Sequence, residues 1–304
     1  MAEATHTLLD PPKSVGDRYL VGRSVGAGSS GTVYLAEDSQ TGKPCALKIR
    51  EAKDREQPVR FIAEAQDMKR LRHPRLVPVL DYGNDGRLYW YVMPFYAKGC
   101  LRDQVKKSGP LEPAVALDWV FQMLEGLSAV HEAGLVHRDV KPHNVLIGDD
   151  GKALLADFGL ARHIHGGVPY RTRTDQSMGT PNYRAPEQAA DAANVDLRAD
   201  IYGIGATLYF LLTGRRPGFL FMVNPDDPLM AAVPESLREF VLQCMAHTPA
   251  DRFSSARSCA FEVAMLVDSL PNRSGPPVGA SWIRRFDALG KQSWLDRLWG
   301  WMRR

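Results

Sequence analysis

Residues 137–144 read HRDVKPHN and residues 157–159 read DFG, with thirteen positions from Asn144 to Asp157. No other feature constrains the chain as much. The pair supplies a base candidate, Asp139, and two metal-ligand candidates, Asn144 and Asp157, in an order that phosphoryl transfer can use. A lone HRD or DFG is a chance-level match; both at this spacing, beside the motifs below, are not.

The pattern around them sets the fold class. From Tyr19 the chain is strand-like: YLVGRSV, TVYLAED and CALKIR follow one another across Gly-rich or TGKP turns. Residues 58–72 switch to helical spacing, with Phe61, Ala65 and Met68 at i, i+4 and i+7 behind Pro58, a good first-turn residue. LVPVLDYG and RLYWYVM read as two further strands joined by a GNDG turn. That makes a five-stranded antiparallel sheet with one main helix. Beyond Lys98-Gly99 the chain turns mostly helical: AVALDWVFQMLEGLSAVHEAG is amphipathic, LRADIYGIGATLYFLLTG is apolar around most of its circumference, and PESLREFVLQCMA and ARSCAFEVAMLV follow. The expectation is an α+β, two-lobed fold, with a small sheet lobe at 19–96, a larger helical lobe at 97–270 and a cleft between them.

Two motifs in the sheet lobe carry chemistry. GAGSSG places Gly26, Gly28 and Gly31 between strand-like runs. A dinucleotide-binding fingerprint needs a helix to follow, whereas TVYLAED is strand-like, so the loop reads as a strand–loop–strand cradle whose backbone can approach phosphate oxygens. Lys48 lies inside a strand, where an unpaired ammonium is costly. It needs anions, and nucleotide phosphates and Glu64, on the border of the buried face of helix 58–72, are the two that fit.

Together these motifs, with RAPE at 184–187 and ADRF at 250–253, resemble those of the bacterial eukaryotic-like (Hanks-type) serine/threonine protein kinases, over about residues 19–270. The resemblance implies ATP and Mg²⁺ as cofactors, with Mn²⁺ as a substitute. It implies a phosphate cradle of Val25, Gly26, Ala27, Gly28, Ser29, Ser30 and Gly31, with Val33 and Ala46 above the adenine and Leu146 below it. VMPFYAKGC resembles the hinge: Met93 guards the back pocket, the Pro94 carbonyl accepts from the adenine amino group and the Tyr96 N–H donates to the ring. Pro94 lacks an N–H, but that position needs only an acceptor. Asp139 handles the substrate hydroxyl proton, Lys141 offsets charge on the γ-phosphate and favours Ser/Thr acceptors, Lys48 and Glu64 complete the catalytic set, and Asn144 and Asp157 hold the metal. His137 and Phe158 are implied to pack with Met68 and Val79 into a spine. Asp200 caps its helix and also bonds backbone of the HRD loop, and Glu187 pairs with Arg252. Residues 157–187 form the activation segment, with autophosphorylation expected at Thr172, Thr174 or Ser177 and a phosphate there pairing with Arg138, and with Thr180 as a structural contact to Asp139 and Lys141. Partners are then proteins with Ser/Thr acceptors, including the chain itself. An ATP-binding scaffold without catalysis and a small-molecule kinase are the alternatives. The first is disfavoured by the intact charged set and the second by RAPE.

Composition bears mainly on the ends. Net charge is +3, but residues 271–304 hold seven Arg or Lys against Asp287 and Asp296, so the tail is basic and the body near neutral. That is too weak to imply nucleic acid. Residues 1–18 read as a flexible arm without a signal peptide, no apolar run is long enough to span a bilayer, and four scattered cysteines suit a reducing compartment, so a cytoplasmic location is expected. In 292–304, Trp294, Leu295, Leu298, Trp301 and Met302 fall on one helical arc. For 281–304 three occupants stay open: a peripheral membrane surface at the inner face, the chain's own helical lobe, or a partner. Two departures stand out. Residues 214–234 are short where relatives carry a substrate-docking helix, and Cys100, at a helix N-terminus, reads as either a reactive thiol or an ordinary small residue.

Overall fold

The computed structural model describes residues 11–28, 31–52, 56–157, 162–163, 183–190, 194–218, 220–270 and 278–289. They fall into two compact units. The first is drawn from Met1–Arg72 and Val77–Ala97, the second from His73–Leu76, Lys98–Arg173 and Thr180–Arg304.

The first unit is an antiparallel sheet with one helix. Its strands are β1 (Ser14–Val15), β2 (Tyr19–Gly28), β3 (Gly31–Asp38), β4 (Lys43–Glu51), β5 (Asp81–Asp85) and β6 (Leu88–Pro94), in the order β1-β2-β3-β4-β6-β5. The five expected strands are there, with β1 added at the edge. Residues 14–15 had been placed in the N-terminal arm; Val15 is instead buried and pairs with Tyr19, a strand too short to leave a periodic trace. The strand expected over 76–83 begins only at Asp81, because Leu76 bridges to Leu155 in the second unit's fold.

Alternation sorts the sheet into two faces. Tyr34, Cys45, Leu47, Ile49, Trp90 and Val92 project to one side and join Val15 and Tyr19 in a core. The other side carries Val33, Leu35, Ala46, Lys48, Tyr91 and Met93, since β3, β4 and β6 pair Val33 with Lys48 with Tyr91, and Leu35 with Ala46 with Met93. Helix α1 (Glu56–Arg70) packs through Phe61, whose ring lies 5.3 Å from that of Tyr91. Phe61, Ala65 and Met68 are all buried, as their spacing required.

The second unit is mostly helical: α2 (Leu101–Ser108), α3 (Pro113–Glu132), α4 (Pro186–Ala190), α5 (Arg198–Thr213), α6 (Glu235–Cys244) and α7 (Ala256–Ser269), with short ladders β7 (Leu135–Val136) with β10 (Arg162–His163) and β8 (Val145–Ile147) with β9 (Ala153–Leu155). Helix α5 is buried from Ala199 to Thr213. Two glycines permit this. A Cβ on Gly203 would sit 2.7 Å from the Val140 carbonyl, and one on Gly205 2.5 Å from Cys244 Cβ. Residues 279–289 form a further helix, α8. It packs inward: the Phe121 ring on α3 lies 5.0 Å from Trp282 and 5.8 Å from Phe286. Between Gly214 and Pro234 the described residues hold only single 3-10 turns at Leu220–Met222 and Pro228–Met230, consistent with the short sequence there. Among the described residues no helix is long and apolar enough to cross a membrane.

Candidate active site

In the first unit the site residues share the sheet face opposite the core. Lys48 is almost fully buried, its ammonium 5.7 Å from the centre of the Tyr91 ring, a cation–π contact worth about 0.5–2 kcal/mol once desolvated. Ala46 and Met93 are adjacent buried partners one step along the ladder. The glycines divide into two kinds. A Cβ on Gly26 or Gly28 would meet nothing within 4 Å, so their backbone is open to a ligand. Gly31 has φ 127°, and a Cβ there would lie 2.6 Å from the Ile49 carbonyl, so its role is to let β3 turn close to β4. Ser29, Ser30 and the side chain of Glu64 lie outside the described residues, although Glu64 falls on α1.

In the second unit the catalytic candidates converge between β7 and β8. The Asp139 carboxylate accepts from Lys141 Nζ at 2.7 Å and from Asn144 Nδ2 at 2.8 Å. Asn144 Nδ2 also donates to the Asp139 carbonyl at 2.9 Å, so both amide hydrogens are used and the side-chain carbonyl oxygen is left for a cation. The Asp139 N–H donates to His137 Nδ1 at 3.3 Å, which makes the other ring nitrogen the protonated one; it donates to the Ala156 carbonyl at 3.2 Å. The Ala156 N–H in turn donates to the Asn144 carbonyl at 2.8 Å. The residue before Asp157 is thereby tied to both ends of the HRD loop.

Backbone strain marks the same places. Arg138 and Asp157 have φ of 67° and 60°, values that a residue with a Cβ keeps only when its surroundings hold it. Asp200 supplies the hold on Arg138. Its buried carboxylate accepts from the His137 N–H at 2.9 Å, the Arg138 N–H at 2.7 Å and His131 Nε2 at 2.8 Å. Burial pushes this carboxyl up, but the bond from His131 and the backbone bond from His137 act against it and leave it below the ordinary carboxylate value. The helix-capping role for Asp200 does not hold: α5 has no side-chain cap, and the carboxylate faces the HRD loop.

A family model for a protein kinase domain matches residues 19–263. Serine/threonine-protein kinase PknL of Mycobacterium tuberculosis is 37% identical over 278 residues, which cover 86% of this chain and 69% of PknL. PrkC of Bacillus subtilis is 32% identical over 272 residues, 84% of this chain and 42% of PrkC. PknB of Mycolicibacterium smegmatis is 33% identical over 267 residues, 82% of this chain and 43% of PknB. The chain belongs to the bacterial Hanks-type serine/threonine protein kinases. As such it is an enzyme that uses ATP and a divalent metal ion.

Several supports of the kinase loop escaped the sequence reading. His131 is one. Gln188 is another: its amide donates to the Arg138 carbonyl at 2.8 Å while its side-chain oxygen accepts from the Ala185 N–H at 2.9 Å, which ties the RAPEQ turn to the loop. Their only sequence signal is position, the last turn of α3 for His131 and one residue past RAPE for Gln188. The expected Glu187–Arg252 pair is present as a two-pronged bond of 2.7 and 2.8 Å. Cys100 is no reactive thiol: it is buried, its thiol donates to Asp103 at 3.0 Å, and burial, then that bond, push it up to about 11. Leu146 pairs with Leu154 across β8 and β9 and bridges to Cys100. Phe158, Thr172, Thr174, Ser177 and Thr180 lie outside the described residues.

Proposed function

We propose that this kinase transfers the ATP γ-phosphate to Ser/Thr hydroxyls with Asp139 as the group that accepts and orients the hydroxyl proton. The observation that carries this reading is the Asp139 carboxylate held between the Lys141 ammonium and the Asn144 amide. Lys141 offsets negative charge as the phosphoryl group moves, and its bond to Asp139 keeps the carboxylate aimed.

The donor set suits Mg²⁺. Asn144 and Asp157 offer two oxygen ligands, and among the described residues no three His, Cys, Asp or Glu gather as a site for a metal held by protein alone. Mg²⁺ is commonly held by one or two such oxygens together with phosphate and water, and Mn²⁺ accepts the same ligands. A metal ion held by Asn144 and Asp157 would supply positive charge to offset that on the phosphates. The open backbone at Gly26 and Gly28, with Val25, Ala27, Ser29, Ser30 and Gly31, forms the phosphate cradle. Lys48, supported by Glu64, holds phosphate oxygens; Val33, Ala46 and Leu146 enclose the adenine, with Met93, Pro94 and Tyr96 at its edge. The kinase region runs over 19–270, and the enzyme phosphorylates itself at Thr172, Thr174 or Ser177. Peripheral contact with a membrane or partner falls to residues 290–304, because Trp282 and Phe286 are already engaged by Phe121.

The deciding experiment incubates the protein with radiolabelled ATP and Mg²⁺ beside Asp139→Asn. Label on Ser or Thr of the wild type alone is expected. Equal label on both removes Asp139 from the chemistry. Vesicle sedimentation of the full chain and of a chain ending at residue 289 tests the tail, and equal binding by both rejects it.

A further inference from the structure

Glu125 lies on α3 with its side chain wholly enclosed. A carboxylate so far from water requires partners for both oxygens. Its partners come from distant parts of the chain. Arg75 Nε donates to Oε2 at 2.9 Å, and Arg285 Nε, on α8, donates to Oε1 at 2.6 Å. Arg285 lies beyond the residues matched by the kinase family model, which end at 263.

Helix α8 is built to stay in place. The Asp268 carboxylate accepts from the N–H groups of Val278 and Gly279 at 2.8 and 2.9 Å, which satisfies donors at the helix start. Gly279 lies so close to Ala264 that a Cβ would collide with its carbonyl oxygen. Arg257 pairs with Asp287 at 2.7 Å, and the Arg285 guanidinium sits 5.3 Å from the Phe121 ring centre.

The other end of this chain of contacts reaches the metal ligand. The Arg75 carbonyl accepts the Leu155 N–H at 2.9 Å, and Leu76 bridges Leu155. Asp157, two residues on, has a left-handed φ of 60°, which a residue with a Cβ keeps only when its surroundings hold it.

We propose that α8 is a positioning element of the kinase, in which Arg285, through Glu125 and Arg75, fixes the strand leading into Asp157. This rests on the reading of Asp157 as a metal ligand. Without Arg285, Oε1 of Glu125 loses its partner. The carboxylate then competes for the single Arg75 or admits water, and the backbone that holds Leu155 loosens.

The test measures Mn²⁺ affinity by water-proton relaxation, on the full chain with a non-hydrolysable ATP analogue, at a temperature where thermal melts show every variant folded. Arg285→Ala is expected to weaken Mn²⁺ binding about two- to thirty-fold, the range of coupling through such networks. Arg285→Lys restores part of it, and kcat falls while KM for a peptide substrate stays put. A lowered melting temperature with wild-type Mn²⁺ affinity and kcat makes α8 a brace only and overturns the proposal. Should the alanine variant not fold, Arg285→Gln decides by the same two outcomes. Asp157→Asn separates the failures. If it leaves Mn²⁺ affinity intact, the metal-ligand reading has failed; if it abolishes binding while Arg285→Ala changes nothing, only the role of α8 has.

Discussion

The phosphate-cradle sheet of the first unit and the HRD loop of the second reach their chemistry by different routes. In the sheet, functional side chains ride on regular strands. Pairing of β3, β4 and β6 places Val33, Ala46, Lys48 and Met93 on one face because side chains alternate, and the same alternation sends Cys45, Leu47 and Ile49 to the core. In the loop no periodicity helps. Asp139 stands where it does because Asp200, itself bonded by His131, and Gln188, from three separate helices, hold the flanking backbone. One region is positioned by a repeating pattern and the other by a buried polar network, so damage should appear differently in each.

The largest effect tests the loop directly. Asp139→Asn is expected to lower kcat about 10²- to 10⁴-fold, the usual worth of a positioned proton acceptor, with little change in melting temperature because the amide can still accept from Lys141. A comparable fall in stability would mean that Asp139 is mainly a structural residue.

Next comes the network. Asp200→Ala strands the N–H groups of His137 and Arg138 in a buried site, each costing about 1–3 kcal/mol. Stability and activity should fall together, measured by urea denaturation and phosphate transfer. The sheet has the opposite signature. Gly28→Val has open space for its side chain and should leave the melting temperature unchanged while raising KM for ATP several-fold, about 1 kcal/mol of binding. Gly31→Ala, with φ 127° and the Ile49 carbonyl in the way, should destabilise by about 1–3 kcal/mol. If the two glycine variants behave alike, the division of the GAGSSG loop into ligand-facing and structural positions is wrong.

The same contrast explains what was legible in the sequence. Strand alternation and the 3.6-residue spacing of Phe61, Ala65 and Met68 announce both the elements and the faces they bury. The HRD and DFG motifs announce the candidate reacting groups. Their supports are single residues on helices far away in the chain, and a histidine such as His131 looks the same whether it meets water or Asp200. The reactive-thiol reading of Cys100 fails for a related reason, and the ordinary small residue stands. Its place before α2 suggested a lowered thiol, but burial and the Asp103 carboxylate act the other way, and neither is visible in the local sequence. For residues 281–304 the sequence left three occupants open because it does not say what covers Trp282, Phe286 or Arg285; Phe121 and Glu125 do, while the arc over 292–304 lies outside the described residues.

The smallest expected effect concerns pH and belongs wholly to the second unit. His73 accepts the Arg75 N–H at Nδ1, 3.2 Å away, and burial, then the Arg75 charge, lower its pKa from 6.5 to about 4. His143 is also lowered to about 4, by burial first and then by Arg102 and Lys141. A base with a depressed folded pKa binds its proton more readily in the unfolded chain, so protonation favours unfolding. The contribution of both residues is complete above the unfolded value of 6.5 and is lost as pH falls from there to about 4. The slope for His73 is at most about 1.4 kcal/mol per pH unit, where its folded and unfolded protonation differ most. His73→Asn keeps an acceptor for the Arg75 N–H without a titrating ring. Its melting temperature should therefore fall less steeply across pH 6.5 to 4 than that of the wild type, with the two curves parallel above pH 7. Parallel curves throughout would mean that His73 takes up its proton alike in the folded and unfolded chain, and that its bond from the Arg75 N–H does not form in solution.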